Sequence, residues 1–341
     1  MLNAYWVFFL TLLITIIFLI GCRWYAKKHL LLIDIPNQRS SHASVVPRCG
    51  GIPIYLITLV GCLILFRPAD LRVIGYLLGA MLISIIGTID DVINLKGKPK
   101  IVGMVLSALM PLLFGLKLEY LSIVLNSQPA LYILSFIWIY GFINALNFMD
   151  GIDGLVGGSA AIGAFFIMVL AALTGNVFVT GVALLLLAAC LGFLAFNFNP
   201  ASIFLGDAGS MFLGYNFAVL GIMLTNGSAN AAPIYLTILI FAPLIYDSMV
   251  TFTRRGFQGK NVIEAHREHL YQRLIILGMS HRDVSLIYYA LSLLFGLLAL
   301  LYFNSNVVGR VALSIFALVI MVGFSLLVKR FEVVKMKKND A

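Results

Sequence analysis

The chain has 341 residues, of which 62% are hydrophobic and only 11% are charged, and its mean hydropathy is +1.04. A soluble globular domain carries about 25% charged residues, so this composition excludes an ordinary water-soluble enzyme. The net charge of +9 comes from Lys and Arg in short loops between apolar runs. That arrangement favours anionic lipid headgroups, not nucleic acid, as the partner of the basic residues.

Eleven apolar runs approach the roughly 20 residues that a membrane-spanning helix needs. We therefore expect an all-α polytopic membrane protein, with one membrane-embedded domain over 1–341, because no long linker or internal repeat divides the chain. The first run has no basic stretch before it and no evident cleavage site, so we interpret it as a retained helix. The expected spans are 4–22, 51–66, 73–89, 101–116, 131–147, 155–173, 177–196, 208–225, 232–253, 284–303 and 308–328.

The distribution of Lys and Arg predicts the orientation. If the N-terminus is outside, nineteen of the 23 basic residues fall in loops on the inside. The positive-inside rule then places the N-terminus outside and the C-terminus inside the cytoplasmic (inner) membrane of a bacterium. The largest inside loop is 254–283, and the basic tail 329–338 is expected to contact lipid headgroups.

Acidic residues gather on the same side. Of fourteen, only Asp70 and Glu119 fall outside in this topology. Carboxylates beside hydrocarbon are costly and are usually paired, metal-bound or functional. Simple accumulation in polar loops explains Glu332 and Asp340, but it explains Asp90, Asp91 and Asp207 poorly because their neighbours are apolar. Further acids follow the fifth predicted span or lie in the inner half of the ninth, namely Asp150, Asp153 and Asp247.

The pair Asp90–Asp91 ends the third predicted span. Two adjacent carboxylates repel each other when both are ionised, so a nearby cation is expected. Mg²⁺ held by one or two carboxylates and by substrate phosphates suits such a pair, with Mn²⁺ as the alternative ion. Lys96, Lys98 and Lys100 follow closely and are expected to meet an anionic substrate or lipid, with Lys98 as the expected substrate-binding residue.

Two further polar segments enter the membrane from the inside. Asn147, Asp150 and Asp153 are spaced by three and share one face if that segment is helical. Asp207 lies in a Gly- and Ser-rich segment that opens a helix, where free N–H groups favour an anion and an acid suits a metal that bridges to phosphate. The alternative for both segments is helix capping by Asn and Asp.

The basic loop and the N-terminal loop supply positive charge on the same side. Arg254, His266, Arg267 and His269 are expected to bind substrate, because arginine binds diphosphate oxygens bidentately. Arg39 and His42, together with Arg48, are expected at a lipid phosphate. The alternative for the N-terminal loop is an ordinary solvated loop.

The ordered motifs D-x-P-N-x-R-S-S-H, G-x-x-D-D, N-F-x-D-G-x-D-G-L, F-L-G-D-x-G-S and the His/Arg loop resemble the polyprenyl-phosphate N-acetylhexosamine-1-phosphate transferases (glycosyltransferase family 4). The resemblance covers nearly the whole chain. It implies transfer of a sugar-1-phosphate from a UDP-sugar to undecaprenyl phosphate, with release of UMP. It also leaves a homodimer open.

The resemblance also implies roles for individual residues. Asp90 is expected to be the base on the lipid phosphate, and Asp91 its catalytic neighbour. Asp150 and Asp153 are expected to be catalytic too, and Asn147 to contact metal and nucleotide. Asp207 is the expected magnesium ligand. The expected donor-binding residues are Arg267 and His269.

Tyr271 and Gln272 stand where the GlcNAc-type enzymes have paired histidines. This form resembles the branch that starts O-antigen and other surface polysaccharides with N-acetylfucosamine or N-acetylquinovosamine. A UDP-GlcNAc-specific transferase is the alternative. A secondary transporter is a more distant one, since its sites tend to lie near the bilayer midplane, and solute uptake into vesicles would distinguish it.

Overall fold

The computed structural model describes residues 3–34, 45–66, 70–95, 97–123, 125–225, 233–261 and 266–339. Within these ranges the chain forms thirteen α-helices and one two-stranded sheet, and it is 81% helical. The predicted all-α membrane fold is therefore confirmed. Arg39 and His42, expected at a lipid phosphate, lie outside the described residues.

The helices follow the apolar runs in chain order. Two short strands, β1 (Ile33–Asp34) and β2 (Val46–Pro47), pair in antiparallel register, and a 3-10 helix covers Glu119–Ile123. The helices are α1 (Ala4–His29), α2 (Gly51–Leu65), α3 (Leu71–Ile93), α4 (Lys98–Leu113), α5 (Gln128–Met149), α6 (Leu155–Leu173), α7 (Val177–Asn197), α8 (Gly206–Thr225), α9 (Ile234–Ile240), α10 (Ala242–Phe257), α11 (Leu270–Ile276), α12 (His281–Phe303) and α13 (Val307–Asn339).

The starts of several helices carry the side chains expected of N-caps. Asn3, Ser127, Asn176 and Ser280 each accept a hydrogen bond from a backbone N–H in the first turn of the helix that follows. These bonds satisfy donors that have no partner inside the helix. Caps therefore divide a nearly continuous apolar sequence into separate helices.

Helix α8 lies at the centre of the bundle. Every residue from 208 to 225 is buried, and α8 packs against α2, α3 and α5. A Cβ added at Gly214 would lie 2.8 Å from the Cα of Ile143 in α5. The absence of a side chain at Gly214 is therefore what lets these two helices approach so closely.

Several helix ends meet at one end of the bundle. The N–H of Gly51, at the start of α2, donates to the carbonyl oxygen of Leu205. The N–H of Gly154, just before α6, donates to Asn197 Oδ1 at the end of α7. The starts of α2, α6 and α8 and the end of α7 therefore lie at the same end of the bundle, together with the polar segments beside them.

The number of spans stays a prediction. Among the described residues, eight helices are long and apolar enough to cross a membrane, or nine if α9 and α10 are one span bent by 84°. Helices α2 and α4 have 15 and 16 residues, which is roughly 22–24 Å against a hydrocarbon core of about 30 Å. The outside position of the N-terminus is likewise not tested by the fold.

The predicted inside loop 254–283 is partly helical. Its first residues finish α10, its middle forms α11, and its end begins α12. Helix α13 continues past the predicted span end at 328, and Arg273 of α11 pairs with Glu332 of α13. The C-terminal helix therefore contacts this segment.

A Gly214→Ala variant tests the close approach of α5 and α8. The new Cβ would press against the α5 backbone, and overpacking of this kind costs about 1–3 kcal/mol. We expect a lower thermal unfolding temperature in detergent. Gly141→Ala is the matched control, because nothing lies within 4 Å of its new Cβ. Equal unfolding temperatures for the two variants would contradict this packing.

Candidate active site

The carboxylate of Asp91 joins α3 to the start of α8. Its Oδ1 accepts the N–H of Asp207 at 2.8 Å, and its Oδ2 accepts the N–H of Ala208 at 2.9 Å. Gly206 precedes them at φ +75°, and a Cβ there would lie 2.6 Å from Asp91 Oδ2. Since unpaired N–H groups at a helix start favour an anion, Asp91 fixes the N-terminus of α8.

A single ammonium group lies between the carboxylates of Asp90 and Asp207. Lys100 Nζ is 3.0 Å from Asp90 Oδ2 and 2.9 Å from Asp207 Oδ2. The second oxygen of Asp90 accepts the N–H of Leu95 at 2.6 Å. Two acids from different helices are therefore held around one positive charge, which offsets their mutual repulsion.

Asn147 connects the end of α5 to the same acid. Its Nδ2 donates to Asp207 Oδ1 and also to Ser210 Oγ, the latter at 3.0 Å. With Lys100 on its other oxygen, Asp207 is held from two sides. Helices α3, α4, α5 and α8 therefore all contribute a side chain to one cluster.

Asp153 is engaged in a separate set of contacts. It accepts from Asn199 Nδ2 at 2.8 Å and from the N–H of Ala201 at 3.0 Å, and His281 Nδ1 is 3.5 Å away. Burial acts to raise the pKa of Asp153, but the hydrogen bonds from His281, Ala201 and Asn199 outweigh it and leave that pKa below its usual value. Asp153 thus ties the α5–α6 junction to the α7–α8 loop and to α12.

Asp150 follows α5 directly, and its pKa is affected by the charges of the acid cluster formed by Asp90, Asp91 and Asp207. Burial, together with the negative charges of Asp207 and Asp91, raises the pKa of Asp150 well above its ordinary value, and Arg48 opposes this shift. Arg48 also forms an ion pair with Asp34 at 2.8 Å. Burial and the neighbouring carboxylates therefore both disfavour the charged form of Asp150.

The basic loop is organised by one acid, Glu268. Its carboxylate contacts Arg254 at 3.4 Å, Arg255 at 2.5 Å and Lys260 at 3.0 Å. Its backbone carbonyl also accepts from Arg254 at 2.6 Å. Three cations share one carboxylate, so the surrounding surface keeps a net positive charge suited to an anionic substrate.

His266 and Arg267 differ in charge at neutral pH. Burial, together with His269 and Arg255, lowers the pKa of His266 to about 4, so its imidazole is neutral at pH 7. Arg267 is exposed and keeps its charge. Of these two predicted substrate-binding residues, only Arg267 adds a positive charge.

The segment from Asn147 to Gly151 connects the acid cluster to this loop. The hydroxyl of Tyr271 donates to the carbonyl of Phe148 at 3.1 Å, and a Cβ on Gly151 would lie 2.2 Å from that hydroxyl. The rings of His269 and Phe148 have centroids 6.2 Å apart. Residues 147–151 therefore link the acid cluster to the basic loop 254–283.

Comparison with known proteins identifies the same region of the chain, the helices that carry the acid cluster. The family model described as Glycosyl transferase family 4 matches residues 73–225, which run from α3 to the end of α8. A probable undecaprenyl-phosphate N-acetylglucosaminyl 1-phosphate transferase of Bacillus subtilis is 31% identical over 297 residues, covering 86% of this chain and 82% of that protein. The chain belongs to the polyprenyl-phosphate N-acetylhexosamine-1-phosphate transferase family.

Two further relatives agree. A decaprenyl-phosphate N-acetylglucosaminephosphotransferase of Mycobacterium leprae is 29% identical, covering 83% of this chain and 80% of that protein. An undecaprenyl-phosphate alpha-N-acetylglucosaminyl 1-phosphate transferase of Escherichia coli K12 is 27% identical, covering 80% and 76%. This chain is thus a sugar-phosphate transferase of the membrane.

The acid cluster of the transferase fits a divalent cation. Asp90 and Asp207 already share the ammonium of Lys100, and Mg²⁺ usually takes one or two carboxylates and completes its shell with water and substrate phosphates. In the part of the chain that the structure describes, no group of three or more His, Cys, Asp or Glu side chains is placed to hold a metal ion by itself.

The structure brings only some of the predicted site residues of the transferase together. Lys98, the lysine expected to bind substrate, is exposed, while Lys100 contacts the acids. Both follow a glycine at the start of α4, so only the helix register separates them. Asn147 faces Asp207 through its amide nitrogen, and its role as a metal ligand stays a prediction. The residues brought into one cluster are Asp90, Asp91, Asn147 and Asp207.

A Lys100→Met variant tests the shared cation. Without the ammonium the carboxylates of Asp90 and Asp207 repel, and a cost of about 2 kcal/mol corresponds to roughly 3 °C in unfolding temperature for a protein of this size. Added millimolar Mg²⁺ should restore part of that loss. Lys98→Met is the matched control and should leave the unfolding temperature unchanged. Identical curves for both variants would exclude this account of the cluster.

Proposed function

We propose that this transferase moves a sugar-1-phosphate from a UDP-sugar onto undecaprenyl phosphate and releases UMP at the cytoplasmic face of the inner membrane. The observation that carries the proposal is the ammonium group of Lys100, held between Asp90 of α3 and Asp207 of α8. It lies at the polar end of an apolar bundle, where a lipid phosphate and a water-soluble nucleotide can meet. The names of the relatives add a polyprenyl-phosphate acceptor.

The reaction joins two anions. An oxygen of the lipid phosphate attacks the sugar-bearing phosphorus, a new phosphorus–oxygen bond forms, and the bond to UMP breaks with its electron pair leaving on UMP. Catalysis of phosphoryl transfer is chiefly positioning and electrostatic stabilisation. When bound between Asp90 and Asp207, Mg²⁺ would supply neutralisation of the charge on the diphosphate oxygens.

The chain's own residues have distinct parts in this proposal. Asp90 is the base that takes a proton from a protonated lipid phosphate. Asp91 acts through the backbone, because both its oxygens already bind N–H groups of α8. Lys100 and Arg48 offset negative charge at the acid cluster. We favour direct displacement, and a covalent aspartyl intermediate through Asp90 or Asp91 is the alternative.

The basic loop is proposed to hold the donor. Exposed Arg267 and the cations around Glu268 suit the diphosphate, and His269 lies beside Phe148 at the edge of the acid cluster. Helix α13 and the C-terminal end of α1 carry further basic residues, which we propose contact anionic lipids.

Two classes of donor sugar are consistent with the site, the gluco-type and the fuco- or quinovo-type. The names of the relatives favour UDP-N-acetylglucosamine. The Tyr271–Gln272 pair favours N-acetylfucosamine or N-acetylquinovosamine, and with them initiation of an O-antigen-like lipopolysaccharide. Tyr271 is only 1% exposed, so it acts on the donor by shaping the Phe148–Gly151 segment and not by direct contact. The N-acetylated sugar is common to both.

Purified full-length protein in detergent tests the proposal, with undecaprenyl phosphate, MgCl₂ and a panel of UDP-sugars, scored by UMP release. We expect at least one UDP-N-acetylamino sugar to release UMP and to form a lipid-linked product. Removal of divalent ions with a chelator should abolish the reaction. Release of UMP without undecaprenyl phosphate, or no release from any donor, would overturn the proposal.

Asp207→Asn isolates the acid cluster. The amide cannot balance Lys100 or a divalent ion, and loss of one transition-state electrostatic contact costs on the order of 10²–10³ in kcat. Asp283→Asn is the matched control, since Asp283 also lies in the first turn of a helix but is exposed. It should keep activity within twofold. Full activity of Asp207→Asn, with folding verified by its elution volume, would refute the role of Asp207.

A further inference from the structure

Asp247 is a buried acid that the reaction above does not use. It lies in α10 and is 0% exposed. Its Oδ1 accepts the N–H of Leu270 at 2.7 Å, and its Oδ2 accepts the N–H of Tyr271 at 3.1 Å. The hydroxyl of Tyr288 in α12 donates to Oδ2 at 2.5 Å. A buried carboxylate is tolerated only when donors satisfy it in this way.

The contacts of Asp247 hold the start of α11, a helix too short to be stable by itself. Helix α11 has seven residues, far fewer than the 12–15 or so that give an isolated helix marginal stability in water. Its first N–H groups would have no partner without Asp247. The bonds from Leu270, Tyr271 and Tyr288 therefore join α10, α11 and α12 at one point.

The residue before α11 is His269, the predicted donor-binding histidine. His269 is 4% exposed and its Nδ1 lies 3.3 Å from Asp247 Oδ1. Its backbone N–H donates to Gln272 Oε1 at 3.2 Å. Its ring lies between those of His266 and Tyr271, with centroids 5.0 and 5.8 Å away. The side chain of His269 is thus fixed by the same anchor as α11.

The anchored turn reaches the acid cluster through Tyr271. The hydroxyl of Tyr271 donates to the carbonyl of Phe148 and abuts Gly151, and Asn147, one residue before Phe148, contacts Asp207. Movement of α11 would therefore move both His269 and the Phe148–Gly151 segment. Both lie where the donor is proposed to bind.

We propose that Asp247 is a positioning residue for the donor: with Tyr288 it anchors the start of α11 and thereby holds His269 and Tyr271 against the Phe148–Gly151 segment. The inference rests on the proposed function for its substrate, a nucleotide-linked sugar. Asp247 touches no substrate itself. Its removal acts on binding of the donor and not on binding of the lipid acceptor, whose phosphate is proposed to lie at Asp90.

Two variants remove the anchor to different degrees. Asp247→Asn replaces one acceptor oxygen with an NH₂ group that faces backbone N–H donors, so at least one bond to α11 is lost. Tyr288→Phe keeps the carboxylate and removes a single hydroxyl. Tyr76→Phe is the matched control, because Tyr76 is also 0% exposed and its hydroxyl also donates to one side-chain oxygen, Asn216 Oδ1 at 2.6 Å.

Steady-state transfer assays on full-length variants give the first readout. We expect Asp247→Asn to lower kcat/KM for the donor at least tenfold and Tyr288→Phe to lower it about threefold, with the KM for undecaprenyl phosphate within twofold of wild type. Tyr76→Phe should leave both constants unchanged. A donor kcat/KM of Asp247→Asn within twofold of wild type, or equal effects on both substrates, would overturn the proposal.

Limited trypsin digestion gives a readout that does not need transfer. Cleavage after Lys260 and Arg267 should be at least fivefold faster in Asp247→Asn than in wild type or Tyr76→Phe, because the loop is released. Equal cleavage rates would overturn the anchoring role. A wild-type protein that transfers from no donor would refute the proposed function alone, since the digestion still reports whether Asp247 holds the loop.

Discussion

The hydrogen bonds from two backbone N–H groups to Asp91 are the constraint on which the rest of the site depends. They fix the start of α8, the central helix, against the end of α3, and they place Asp207 and Asp90 on either side of one cation. Gly206 is what makes this possible, because a side chain there would occupy the space of the Asp91 carboxylate. One acid of the pair, Asp91, therefore positions the backbone of α8, and the other, Asp90, contacts the cation.

Antiparallel packing explains how so few residues make a site at a membrane surface. Helices that follow one another in the chain alternate in direction around the site, so alternate loops gather at one end, and each brings a short polar sequence that lipid does not tolerate. The acid cluster and the basic loop arise separately, from α3–α8 and from α10–α12. They are joined through the Asn147–Gly151 segment, which contacts Asp207 at one end and Tyr271 at the other.

Hydropathy and motif spacing predicted the helices, the end of the bundle where polar segments gather, and the acidic residues there, because these depend on local composition. They did not predict the 84° bend between α9 and α10, since the apolar run continues through it and only Pro243 marks the break. Nor did they separate Lys100 from Lys98, which differ only in helix register. Asp247 received no role, because the N–H and O–H groups that satisfy it lie 23 to 41 residues away.

The most direct test of the central claim is the position of a bound divalent ion. Crystals of the full-length transferase grown with Mn²⁺ and donor nucleotide give an anomalous signal from the metal alone. The account predicts one peak between Asp90 and Asp207, at coordination distance from an oxygen of each and in place of the Lys100 ammonium. A peak bound only by the basic loop, or a donor complex whose metal touches neither carboxylate, would contradict it.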